Sequence, residues 1–176
     1  MVIRAFVLIL LVLSVTSYFI PVENIIKKDN EVETPLLVFN DSTMYTLTTN
    51  SMNRIVYAKE VYRFEKRDVM HEGALTLKNF DSKNNYVTDV LYSDIIVKRG
   101  DIYKFFKNVR FKREDFISLN TDELFYNAKE EIVTNTLPFD GNYYNNTIKG
   151  DNLYLDMKSY FMKSNNTHFE IDMKNK

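Results

Sequence analysis

The chain has 176 residues, 45% hydrophobic and 27% charged, with 23 Lys+Arg against 24 Asp+Glu, 4 Gly and 3 Pro. These proportions exclude collagen-like, low-complexity and wholly disordered chains, and the near-neutral charge supplies no basic field to attract nucleic acid. The absence of Cys excludes disulfide scaffolds, thiolate zinc sites, thiol catalysis and a lipobox lipoprotein.

The first element is apolar. Ala5 to Ile20 reads AFVLILLVLSVTSYFI without a charge, preceded by Arg4 and followed by Pro21. A bilayer core takes about 20 apolar residues, so residues 1–22 predict a single transmembrane helix with Arg4 snorkelling to the cytoplasmic interface. Ala5, Phe6, Leu8, Leu11 and Leu13 would face lipid or partner helices, with Tyr18, Phe19 and Ile20 at the far interface. The rival is a cleaved signal peptide cut near Val15-Thr16-Ser17; the run continuing through Ile20 favours the anchor. Either way, the remainder is exported.

Residues 23–35 are largely charged and carry no clear period, which predicts a linker. From residue 36 to 176 helical periodicity is absent. Short alternating runs replace it: Met44–Thr48, Ile55–Tyr57, Ala74–Leu77, Ile117–Thr121 and Phe169–Met173. With 12 Tyr and 13 Phe, these predict half-buried antiparallel strands. Asp81–Asn85, Asn142–Asn146 and Ser164–Asn166 read as turns.

A degenerate motif recurs at Ala58–Tyr62, Thr88–Tyr92, Thr121–Phe125 and Gly150–Tyr154: small, usually acidic, any, Val or Leu, aromatic. Self-similarity at about 30 residues signals a repeated unit. The alternation changes phase beside these motifs; Ile117, Leu119 and Thr121 share one parity, while Leu124 and Tyr126 take the other. A phase change flips every later side chain unless the strand bends. Each unit therefore reads as strand, bend, strand, with a second kind of corner at Lys107-Asn108-Val109. Stacked bends predict a folded-over sheet whose two walls face each other across an apolar interior.

Candidate chemistry is sparse. His71 and His168 stand far apart without a ligand motif. Glu114-Asp115, Asp122-Glu123 and Glu130-Glu131 read as solvated turn charges, because consecutive strand residues point to opposite faces. No nucleophile elbow, phosphate-binding loop or dinucleotide fingerprint is present. No metal and no cofactor is expected. What remains is a surface that binds: an apolar interior that removes about 25 cal/mol per Å² of guest surface from water, and open edges that accept a partner strand.

The anchor, Thr88–Tyr92, the run DIYKFFKNVRF from Asp101 to Phe111, Leu119–Tyr126, Ile132–Thr134 and Gly150–Leu153 occur in an order that resembles one family. It is the membrane-anchored periplasmic component of the bacterial lipopolysaccharide-export ABC transporter, the LptC family. Lys107 stands where that family usually has Gly. The resemblance implies an all-β fold, a folded-over antiparallel sheet (β-jellyroll) preceded by a single N-terminal transmembrane helix. It further implies a non-enzymatic carrier in the bacterial inner membrane, with its bulk in the periplasm. Its partners would be lipopolysaccharide, the membrane subunits of the transporter and a soluble periplasmic bridge protein. Within that fold, parity places Tyr103, Phe105, Val109, Phe111, Ile117, Leu119, Thr121, Leu124 and Tyr126 in the lipid groove. Ile132, Thr134, Leu153 and Leu155 extend it to Phe169 and Ile171, and Phe169, Ile171 and Met173 form the partner edge. The alternatives are the soluble bridge component itself, made with a cleaved signal, and a tethered structural or adhesive β-protein with a packed core.

Overall fold

Long alternating runs of β-branched and aromatic residues satisfy their backbone groups by pairing with sequence neighbours, which yields antiparallel strands. The computed structural model describes residues 33–47, 52–80, 86–114, 116–159 and 161–171. The chain divides into two units, Met1–Glu33 and Thr34–Lys176, and every described strand belongs to the second. The expected anchor, the start of the linker, the Asp81–Asn85 turn and Met173 lie outside the described residues. Among the described residues no helix is long and apolar enough to cross a membrane.

The strands are β1 (Leu37–Leu47), β2 (Met52–Arg63), β3 (Asp68–Phe80), β4 (Tyr86–Arg99), β5 (Ile102–Arg113), β6 (Ile117–Asn127), β7 (Ile132–Thr134), β8 (Phe139–Tyr143), β9 (Asn146–Asp156) and β10 (Met162–Glu170). They form one antiparallel sheet in chain order from β1 to β10. β7 and β8 together occupy one place in it, each pairing with β6 and β9. β1 and β10 are its two edges and do not pair with each other.

A row of bends crosses the sheet, and left-handed backbone marks it. Asp41, Glu72, Lys107, Asn108, Asn152 and Asn166 have φ of 47°, 47°, 63°, 50°, 50° and 47°. Pairing slips at Tyr92/Ile95 and Phe106/Val109, where extra residues bulge out of the ladder. Asn and Asp tolerate this geometry, and their side chains can bond backbone and neighbours locally. The bends are stitched side to side by polar groups. Asn108 Nδ2 donates to Asp94 Oδ2 at 2.6 Å, Lys59 Nζ to Glu72 Oε1 at 3.1 Å, and Asn166 Nδ2 to Asp151 Oδ2 at 2.8 Å. Between β7 and β8 the chain loops out, held by Asn135. Its Nδ2 donates to Thr121 Oγ1 and Leu137 O at 3.1 and 2.8 Å, and its Oδ1 accepts from Leu153 N at 2.9 Å.

The bends reset alternation so that both arms keep their apolar face on one side. In β2 the buried residues are Val56 and Ala58, then Val61; in β6 Leu119, then Leu124 and Tyr126; in β9 Ile148, then Leu153 and Leu155. All these belong to one apolar cluster. The arms meet face to face: the Arg54 guanidinium of β2, on one arm, lies 5.7 Å from the Tyr103 ring of β5, on the other.

The repeat reading needs two amendments. Thr88–Tyr92 runs straight, and its strand bends just afterwards, at Ser93-Asp94. Ser164–Asn166 is no turn between strands but an irregularity inside β10, where the ladder to β9 slips on either side of Asn165.

Candidate functional site

The apolar layer between the arms is the feature that the sequence singles out. Tyr103, Phe105, Val109, Phe111, Leu119, Leu124, Tyr126, Leu153 and Leu155 are all buried in it. Each large side chain of this kind contributes about 1.5–3 kcal/mol when removed from water. Ile117 is half-buried and packs against the cluster. Thr121 sits at a bend, its hydroxyl bonded to Pro138 O and to Asn135. Ile132 and Thr134 have the opposite parity to the buried residue of their strand, Val133, which takes the inner position between Tyr126 and Leu155. Phe169 pairs with the inward-facing Ile148 yet is 43% exposed, because no strand lies beyond it. Ile171, just past β10, is 65% exposed.

The edges differ from the centre. On β1 and the residue before it, Leu36, Leu37, Val38, Phe39, Tyr45 and Leu47 are exposed; at β10 and its flanks, Phe161, Phe169 and Ile171 are. An edge strand that keeps unpaired amides and carbonyls beside exposed apolar side chains accepts another strand.

At the free ends of the arms the interior turns polar, which the sequence reading missed. The register lines up two rows. One arm carries Arg54, Leu77, Asp89, Arg113 and Ile117 side by side. The other carries Arg63, Asp68, Lys98, Tyr103, Tyr126 and Val133. Asp89 and Arg113 are almost completely buried and form a bidentate pair, Nε to Oδ1 and Nη2 to Oδ2 at 2.8 Å. Arg63 holds Asp68 the same way at 2.9 and 3.1 Å. Both carboxylates are thereby engaged. Arg54 and Lys98 rest instead on the Tyr103 ring, 5.7 and 5.8 Å from its centroid. Burial pushes the Tyr126 hydroxyl up to about 12, with Arg54 pulling the other way. Burial also raises Tyr103, again opposed by Arg54. Both phenols therefore remain neutral at physiological pH.

One signal could have found this cluster. Asp89 and Arg113 keep the parity of Leu91 and Phe111, so charges stand where apolar side chains were due. A buried charge is retained only when paired or used.

The outward side of the bends holds a separate polar cleft of about 1130 Å³ with Asp94, Asn108, Asp122, Asp151 and Asn166 along it. Among the described residues no group of three His, Asp or Glu side chains is placed to hold a metal ion. His71 stacks edge-on against Tyr62 at 5.6 Å, and His168 lies 3.0 Å from Glu170. No family model matches the chain, and no curated protein matches it.

Proposed function

We propose that the chain is a periplasmic lipid carrier anchored in the bacterial inner membrane, which accepts lipopolysaccharide from the export ABC transporter and passes it to a soluble bridge protein. The carrying observation is an apolar layer that continues across the folded sheet to two edge strands, unpaired on their outer sides among the described residues, with exposed apolar side chains on β1 and at the ends of β10. Acyl chains would lie between the arms against Phe105, Phe111, Leu119 and Leu124. These residues are exposed by 2% or less and belong to one cluster, so the arms would part to admit a guest. The anchor of residues 1–22 would pack against the membrane subunits, β1 would join their periplasmic parts, and β10 would join the bridge. ATP hydrolysis belongs to another subunit, and this chain is no enzyme.

A second reading has its own support: side chains exposed by 2% or less, such as Tyr103, Phe105 and Phe111, suit a tethered structural β-protein with a permanently packed core. A pull-down of the full chain from membranes separates the two. The carrier brings down transporter subunits together with lipopolysaccharide. A structural protein brings down neither.

A further inference from the structure

We infer that the free ends of the two arms form a subsite for a phosphate monoester on an amphipathic lipid, held by Arg54 and Lys98. The inference rests on the carrier reading and adds the chemistry of the guest's polar end. Its starting point is a mismatch of charge. The two facing rows bring four cations, Arg54, Arg63, Lys98 and Arg113, against two carboxylates, Asp68 and Asp89. Both carboxylates are taken by bidentate arginines. Among the described residues neither Arg54 nor Lys98 is in an ion pair. They approach one buried ring, that of Tyr103. Arg54 Nε is buried and has no hydrogen-bond partner.

A chain whose net charge is −1 thus gathers, at the rim of its apolar interior, two cations that stand outside any ion pair among the described residues, with Asp101 and Glu131 farther off acting on the phenols of Tyr103 and Tyr126. Half-buried cations outside an ion pair bind an anion more strongly than the same groups in water would. The guanidinium offers a fork that matches two phosphate oxygens, and the ammonium adds a point charge. The apolar layer begins directly behind them, with Leu77 beside Arg54 and Phe105 two residues beyond Tyr103. A guest whose anionic group and acyl chain are adjacent spans both regions at once. A neutral lipid would fill only the apolar part, and a free anion only the rim.

The test uses the full chain in a nonionic detergent, native mass spectrometry and three probes: oleoyl lysophosphatidate, monoolein and inorganic phosphate. The inference expects lysophosphatidate to bind at least about ten-fold more tightly than monoolein, roughly the weight of one charge-assisted contact. Arg54→Gln and Lys98→Gln should each erase most of that preference while leaving monoolein binding unchanged. Arg54→Lys should retain part of it. Lys98→Gln changes a rim residue, so it serves if the Arg54 variants fail to fold. Equal binding of the two lipids by the unaltered chain overturns the phosphate subsite and leaves the carrier reading standing. Binding of neither lipid overturns both. Arg54-dependent binding of inorganic phosphate without a lipid preference also overturns the inference, because the anion site would then be independent of the interior.

Discussion

Removing one partner of the Asp89–Arg113 pair tests the packing of the arms most sharply. Asp89 is buried, and both of its side-chain hydrogen bonds come from Arg113. Arg113→Met keeps the aliphatic bulk beside Phe111 and strips the carboxylate of both donors. An uncompensated buried charge costs about 3–5 kcal/mol. With a urea dependence of about 2 kcal/mol per molar, the unfolding midpoint should fall by roughly 2 M. Asp89→Leu should also destabilise the fold, since it takes from the buried guanidinium its two bonds to Asp89. The double variant removes both charges, and such replacements are commonly neutral or stabilising by about 1–4 kcal/mol. Urea titration of the full chain, followed by circular dichroism in the β-sheet band, measures all three. The reasoning is refuted if Arg113→Met costs under about 1 kcal/mol, or if the double variant is as unstable as the sum of the singles.

Further predictions follow from the same geometry. Tyr126 has its hydroxyl raised by burial from 10.0 to about 12, so its neutral form contributes stability that is present below pH 10 and lost as pH rises towards 12. Two units correspond to about 2–3 kcal/mol, and Tyr126→Phe should flatten alkaline denaturation curves in that window. At Gly141, a Cβ would stand 2.0 Å from the Ser118 carbonyl oxygen and 3.0 Å from Leu119 Cα. Backbone cannot yield as a side chain does, so Gly141→Ala should lower stability by about 1–3 kcal/mol or more, read as a fall in melting temperature. Lys107 holds φ at 63° in the β5 bend, a conformation that a Cβ disfavours. Lys107→Gly should raise stability by up to about 1 kcal/mol, and a loss of stability would show that its side chain matters to the bend.

The strands were legible because alternation runs along each arm of β2, β4, β5 and β6, broken only at the bends, and burial follows it on either side. The face shared by Tyr103, Phe105, Val109 and Phe111 was readable despite the intervening corner, since the two left-handed residues Lys107 and Asn108 preserve parity. Other features were not visible. β7 is three residues long, too short to declare its own phase, and the pairing of Val133 with Tyr126 and Leu155 decides which side faces inward. The β3 bend at Glu72 carries no Asn or Asp to announce it; only Gly73 beside it marks the break. Ser164-Asn165-Asn166 has turn composition, but a bulge needs the same residues, and only ladder contacts with β9 distinguish the two. The polar rim escaped notice for another reason. Arg54, Asp89, Lys98 and Arg113 are distant in sequence, and lateral register alone brings them together.

The central claim is that the space between the arms receives acyl chains. Photo-crosslinking amino acids at Phe105 and Leu119, which face inward, should capture lipopolysaccharide in living cells, whereas those at Lys104 and Asn120, on the exposed face of the same strands, should not. Leu119→Arg should abolish capture at Phe105. Capture at the outward pair with none at the inward pair would contradict the account.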